Sequence, residues 1–160
     1  MTTFAITKSF GDAMTESRPI SQSTTIHDCL VRDLPKIGER KGYITPIYGR
    51  DQIPFDIARV YYLYDIPGGA SRAAHAHRGL QQLLVSVLGS FDVVLDDGRE
   101  RKTITLNRPY GGLYLPPGIW RDLNNFSSGA ICLVLASDPY SEADYIRDYA
   151  QFLVFKKVTP

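Results

Sequence analysis

An all-β sandwich or barrel carrying one short C-terminal helix is the architecture this sequence specifies. From about Cys29 onward the apolar residues come in short runs of about 4 to 8, broken by Gly, Pro and Asp, which is the pattern of many short strands. No alternation of strand-like and long helix-like segments competes with it. At 160 residues the chain supports one well-buried core, so one domain and one site are expected.

Taken in order, residues 1–28 read as an N-terminal extension. Thr15, Ser17, Ser21, Ser23, Thr24 and Thr25 crowd a stretch with little apolar periodicity. The domain proper is then 29–160. Strands are expected over 42–48, 58–66, 80–88, 91–95, 103–106, 112–115 and 130–136, runs rich in the Val, Ile, Tyr and Leu that suit a half-buried pleated surface. Gly89-Ser90 marks a tight reversal, and the Asp-Gly pair of Asp96-Asp97-Gly98 supplies the positive φ of a hairpin turn. Ser141, followed three residues later by Asp144, has the form of a capping box. Tyr145, Ile146, Tyr149, Phe152 and Leu153 then recur at helical spacing, so a terminal helix docked on the barrel is expected.

Composition excludes several classes. Lys and Arg number 18 against 17 Asp and Glu, a net charge of +1, which gives no bulk electrostatic reason to bind nucleic acid or an anionic membrane. No stretch approaches the ~18 apolar residues of a membrane span. Cys29 and Cys132 show no C-x-x-C spacing and no apolar leader precedes the fold, so the expectation is a cytoplasmic protein whose two cysteines are small buried hydrophobes.

The chemistry concentrates between Gly69 and Gly89, where two of the three histidines stand as His75-Ala76-His77. Residues two apart on a strand project to one face, so both imidazoles point together into the barrel or together into solvent. Gly69, five residues, His75, one, His77, four, Gln82, six, Gly89 resembles the first cupin motif position for position. Gln82 stands where metal-binding cupins have Glu, and a neutral amide supplies no anionic charge to a cation. The second motif resembles Pro116, Gly118, Arg121 and Asn125, with Arg121 in the place of a histidine. A guanidinium has no lone pair and repels a metal, so no metal is expected. What remains is a cupin, a double-stranded β-helix or jelly-roll barrel, in which imidazole works as an acid and base near its pKa of ~6.5. Arg121 would favour the neutral, basic imidazole and could bind an anion or polarise a carbonyl oxygen. In Arg59-Val60-Tyr61-Tyr62-Leu63-Tyr64, alternation puts Arg59, Tyr61 and Leu63 on one face and Tyr62 and Tyr64 on the other.

The run from Arg59 to Asp148 resembles the sugar 3,4-ketoisomerases that act on dTDP-4-keto-6-deoxyglucose. The phrases that carry the resemblance are Arg59-Val60-Tyr61-Tyr62, His75-Ala76-His77-Arg78, Asp96-Asp97-Gly98, Gly112-Leu113-Tyr114, Pro117-Gly118-Ile119-Trp120 and Asp144-Tyr145-Ile146-Arg147. The resemblance implies a homodimer without metal or redox cofactor that moves a ketone from the fourth to the third carbon of the hexose. Its product would go to a pyridoxal-phosphate aminotransferase making 3-amino-3,6-dideoxy sugars of surface glycans, O-antigen among them, or of antibiotics. It further implies that His75 relays protons between the two carbons, with His77 and Tyr61 beside it. Arg121 falls where the family varies between Arg and His, and Arg resembles the type that gives the gluco configuration. Ala73-Ala74 precede the histidines where the family often has a glycine.

A free tyrosine with pKa ~10 is a poor base at neutral pH, so Tyr61 is assigned positioning or proton relay. Arg59 and Arg72 are candidates for the diphosphate, which favours bidentate guanidinium contacts, or are structural charges. Tyr43, Gln82 and Asn125 complete the expected substrate-binding set. Three other classes stay open. A metal-dependent cupin oxygenase would lose activity to chelator, and a non-catalytic sugar-binding cupin would tolerate His75→Asn. A nucleotide-sugar 3,5-epimerase needs a histidine paired with a carboxylate, and spacing places none beside His75.

Overall fold

The computed structural model describes residues 21–158; the part of the expected extension before Ser21 lies outside the described residues. Twelve short strands and one helix follow in chain order among them: β1 (Leu30–Asp33), β2 (Ile37–Glu39), β3 (Gly42–Ile44), β4 (Arg59–Leu63), β5 (Arg72–His77), β6 (Gln82–Leu88), β7 (Phe91–Asp96), β8 (Arg101–Leu106), β9 (Gly111–Leu115), β10 (Trp120–Asn124), β11 (Ile131–Ala136), β12 (Tyr145–Ile146) and α1 (Tyr149–Lys156). Two five-stranded antiparallel sheets face each other, in the orders β1-β9-β6-β11-β4 and β12-β5-β10-β7-β8, and β2-β3 forms a separate hairpin. This is the jelly-roll barrel of a cupin.

Each apolar run becomes a strand because one face can be buried. On β7 the pattern alternates, so Phe91, Val93 and Leu95 enter the barrel fully buried while Asp92 and Val94 do not. They join Leu84, Leu113, Leu115, Ile119, Leu123, Cys132 and Val134 in the core between the sheets. Cys29 and Cys132 are buried free thiols, pushed up to about 12 by burial. The reversal at Gly89 (φ 70°) carries the chain from one sheet to the other. Gly98 (φ 90°) lies in the β7–β8 hairpin, where Asp96 pairs with Arg101 across the turn. A second core covers the outer face of the first sheet, where Leu34, Ile53 and Phe55 lie on Leu83, Val85, Tyr114 and Leu135.

Three expectations change. Residues 42–48 form a strand only over Gly42–Ile44, because β3 pairs with nothing but the three residues of β2. The helix begins at Tyr149, later than the Ser141 capping box implied. Ser141 makes no side-chain cap, Glu142–Asp144 is a single 3-10 turn, and Tyr145–Ile146 pairs with β5. Asp148 is the true N-cap, accepting from the Gln151 N–H at 2.8 Å. Helix α1 then seats the fully buried Phe152 on Trp120, Ala76 and Ile146. Finally, Thr24 and Ile26, read as extension, are buried against the barrel. A capping box between Thr25 and Asp28 holds this turn, and Thr24 Oγ1 donates to the Pro117 carbonyl at 2.7 Å.

Candidate active site

Strands β5 and β10 run antiparallel with His75 opposite Arg121, and β12 lies along the other side of β5 with Tyr145 opposite His77. The two imidazoles therefore share a face, as their spacing requires, and that face is inward: His77 is fully buried and His75 half-buried. Their Nε2 atoms are 3.2 Å apart, with the rings nearly perpendicular at 84°. Tyr145 lies against both, its ring centroid 4.8 Å from that of His75 and 4.3 Å from that of His77. Arg147, 4.2 Å from the Tyr145 ring centroid, backs this contact.

Arg121 is the electrostatic centre of the site. Its side chain is buried (1 % exposed), and among the described residues its hydrogen-bond partner is the His75 carbonyl, 3.4 Å from Nη1. Nε and Nη2 are buried and have no hydrogen-bond partner among the described residues. A buried cation with two unspent donors is costly by itself and is a standing invitation to an anion or a developing oxyanion. Burial lowers its pKa to about 10, which leaves it charged at neutral pH. Burial, and then the Arg121 charge, lower His75 to about 2 and His77 to about 4, so both imidazoles are neutral.

On the facing sheet, β4 and β6 supply the remaining groups. Gln82 is buried and donates from Nε2 to the Tyr61 hydroxyl at 2.8 Å. Burial raises the Tyr61 pKa, so the phenol keeps its proton and is a donor rather than a base. Arg59 lies over the Tyr61 ring, 5.1 Å from its centroid. The donor set does not suit a divalent cation, since Gln82 is engaged by Tyr61 and a guanidinium sits beside the histidines. Among the described residues no three His, Cys, Asp or Glu side chains converge to hold one.

His75, His77, Tyr61, Gln82, Arg121 and Arg59 thus come together; the other three expected residues stand apart. Arg72 is exposed at the start of β5. Tyr43 is 62 % exposed on the β2–β3 hairpin, beside Lys36 and Tyr110 in a different groove. Asn125 takes a left-handed turn conformation (φ 52°) and donates to Asp92 at 3.0 Å on the surface.

Sequence reasoning missed Asp144. Its Oδ2 is 2.8 Å from Nδ1 of His77, and its Oδ1 accepts from the Gly79 N–H at 2.7 Å. Burial opposes its charge, but these hydrogen bonds prevail and hold the carboxyl below the usual range. A cavity of about 230 Å³ lined by Arg59, Leu80, Pro139, Asp144 and Tyr145 opens behind it. The available signal is the phrase Asp144-Tyr145-Ile146-Arg147, which resembles the ketoisomerases but whose first residue also completes the Ser141 capping-box pattern.

Comparisons with known proteins converge on the same chemistry. The family described as "FdtA: WxcM-like, C-terminal" matches residues 27–157. The TDP-4-oxo-6-deoxy-alpha-D-glucose-3,4-oxoisomerase of Aneurinibacillus thermoaerophilus is 45 % identical over 122 residues, covering 76 % of this chain and 88 % of that one. Two solved structures superpose closely. One is a histidine-to-asparagine mutant of the 3,4-ketoisomerase QdtA from Thermoanaerobacterium thermosaccharolyticum in complex with TDP-4-keto-6-deoxyglucose, with TM-score 0.81, 38 % identity, and coverage of 83 % of this chain and 96 % of that one. The other is the TDP-quinovose 3,4-ketoisomerase WlaRB of Campylobacter jejuni, with TM-score 0.77, 43 % identity, and coverage of 79 % and 98 %. With the barrel, the histidine pair and the match over most of its length in agreement, the chain belongs to the FdtA family, the cupin fold of the sugar 3,4-ketoisomerases.

Proposed function

We propose that the protein is a sugar 3,4-ketoisomerase that converts dTDP-4-keto-6-deoxyglucose into its 3-keto isomer. The observation that carries this reading is the buried Arg121 guanidinium, two of its donors unspent, beside two neutral imidazoles. A proton α to a ketone leaves only if charge on the forming enolate is stabilised, and Arg121 supplies that stabilisation without metal.

The atoms balance within the sugar. His75 takes the proton from the third carbon; that C–H pair forms the C3=C4 bond, and the carbonyl pair moves to the fourth-carbon oxygen. This oxygen is stabilised by Arg121 and protonated to the enediol, with the Tyr61 O–H as donor. The hydroxyl on the third carbon then gives its proton to the Tyr61 phenolate, which restores the phenol; its electron pair forms the new C=O, and the double-bond pair takes a proton from His75 at the fourth carbon. Oxidation of one carbon matches reduction of the other, so no cofactor enters. Negative charge on the enolate offsets the field of Arg121, which raises the basicity of His75 as the proton arrives.

Arg121 in place of histidine, and 43 % identity to an enzyme named for TDP-quinovose, support the gluco configuration at the fourth carbon. Arg59, through its place beside Tyr61, is assigned to the diphosphate; Arg72, exposed at the start of β5, is left as a surface charge. The 3-ketone is the substrate a pyridoxal-phosphate aminotransferase needs, which places the protein before amino transfer in making 3-amino-3,6-dideoxy sugars for surface glycans such as O-antigen. The protein acts in the cytoplasm as a homodimer. Exposed Val60 and Tyr62 on edge strand β4, with exposed Tyr64 just past its end, support the pairing, since contiguous apolar surface on a sheet edge calls for a cover.

The test is to incubate chelator-treated protein with dTDP-4-keto-6-deoxyglucose in deuterated water and follow the sugar by NMR. A 3-keto product with deuterium at the fourth carbon and gluco couplings is expected. Unchanged substrate, or exchange at the fifth carbon as in an epimerase, contradicts the reading.

A further inference from the structure

Each imidazole has two ring nitrogens, and only one without a proton can act as a base. Hydrogen positions follow from the network around the rings, which here is fully determined by one group. An ionised carboxylate only accepts, so at 2.8 Å from Asp144 the proton of His77 sits on Nδ1. Neutral His77 then presents a bare Nε2. The 3.2 Å contact between the two Nε2 atoms needs one donor and one acceptor, so His75 donates from its own Nε2. Nδ1 of His75 is left bare, and among the described residues it meets no hydrogen-bond partner.

We propose that Asp144 is the positioning residue that makes His75 a base: its carboxylate sets the proton of His77 on Nδ1, hence that of His75 on Nε2, and so turns Nδ1 of His75 to the sugar. The role of the base rests on the isomerase reading; the proton positions do not. Two features hold Asp144 in the ionised, accepting state. The Gly79 N–H binds its second oxygen at 2.7 Å, and its side chain, 23 % exposed, meets solvent through the cavity behind it while His77 is sealed. The same arrangement serves during catalysis. When Nδ1 of His75 takes the carbon proton, the positive charge spreads along a line that ends on a carboxylate.

Asp144→Asn is the informative change because it keeps shape and reverses logic. The Gly79 N–H demands an acceptor, so the amide oxygen turns to it and the NH₂ group faces His77. Nδ1 of His77 must then accept, its proton moves to Nε2, and His75 in turn is protonated on Nδ1 and blocked.

With only three histidines in the chain, ¹⁵N ring spectra resolve each tautomer without substrate. Expected in the wild type are His77 protonated on Nδ1 and His75 on Nε2, both neutral at pH 7. In Asp144→Asn both tautomers invert, and kcat falls roughly 10³- to 10⁴-fold as expected for a base held in the wrong tautomer, while KM changes less than about 3-fold. A wild-type His77 protonated on Nε2, an imidazolium at either position, or an Asp144→Asn protein with unchanged tautomers or unchanged kcat overturns the proposal. Should Asp144→Asn fail to fold, the wild-type spectrum decides alone. Expected spectra together with no sugar turnover in the wild type would sink the isomerase reading and the base role with it, and leave the tautomer assignment standing.

Discussion

His75 and His77 differ from ordinary histidines because burial and then the Arg121 charge oppose protonation, which lowers them to about 2 and about 4. Unfolded histidine titrates near ~6.5. Between that pH and the folded values the unfolded chain binds more protons, so stability is fully present above pH ~6.5 and falls as pH drops toward 4, with His75 still contributing below that. Urea midpoints measured from pH 7 to 4.5 should decline, and the double substitution His75→Asn with His77→Asn should flatten that decline; an equal slope in both proteins contradicts the assignment. Ala73 is a second residue-scale test. It holds φ 68° in the strand that carries the histidines, where β5 and β10 slip register, a conformation that costs a residue with a Cβ about 1–2 kcal/mol. Ala73→Gly should therefore stabilise by about 0.5–1 kcal/mol after the entropy of glycine is subtracted, measured by denaturant unfolding with activity retained. At this scale the sequence showed His75, His77, Gln82 and Arg121, because motif spacing fixes which residues share a face. Asp144 was hidden, since its partner is 67 residues away and its local pattern imitates a cap. Asn125 holds its place in the second cupin motif, yet sequence does not show that it ends in a surface turn, nor that Tyr43 ends on an exposed hairpin.

Elements were legible where apolar alternation is clean and illegible where the inward face carries chemistry. Strands β7 and β11 bury Phe, Val, Leu and Cys, and their expected limits were within a residue of those observed. Strand β10 reads Trp-Arg-Asp-Leu-Asn and turns Arg121 inward, while β5 reads Arg-Ala-Ala-His-Ala-His; neither displays the apolar period of a strand. The terminal helix shows the same conflict, because Asp144 gives its carboxylate to His77 and Gly79 rather than to a helix N-terminus. Two substitutions test these elements. Phe152→Ala removes the fully buried ring that docks α1 and should cost about 3–5 kcal/mol in denaturant unfolding; a loss under about 1 kcal/mol would mean that the helix is not seated on the barrel. Gly118 holds φ 80° in the turn between β9 and β10, with the Ser21 carbonyl pressed against the position of a Cβ, and its N–H donates to the His77 carbonyl at 2.7 Å. Gly118→Ala should cost about 2 kcal/mol or more. Because the turn touches His77, activity should fall with stability.

Across the whole molecule the barrel has two ends with opposite characters. Phe91, Val93, Leu95 and Leu123 fill one region between the sheets, which makes the walls rigid. That apolar filling supports the region where His75, His77, Tyr61, Gln82 and Arg121 meet, so a charged group as expensive as Arg121 can be held buried with donors to spare. The stability cost of an unpaired guanidinium makes sense only if substrate completes it. Accordingly, Arg121→Met should raise thermal stability in the free protein while removing turnover, and a variant that loses stability along with activity would show the guanidinium to be structural. The most direct measurement for the account is single-turnover kinetics of His75→Asn on dTDP-4-keto-6-deoxyglucose, paired with TDP binding by calorimetry. Affinity for TDP equal to that of the wild type, with isomerisation reduced by a factor of about 10³ or more, is the predicted result. An asparagine variant that still moves the ketone at a comparable rate would contradict it.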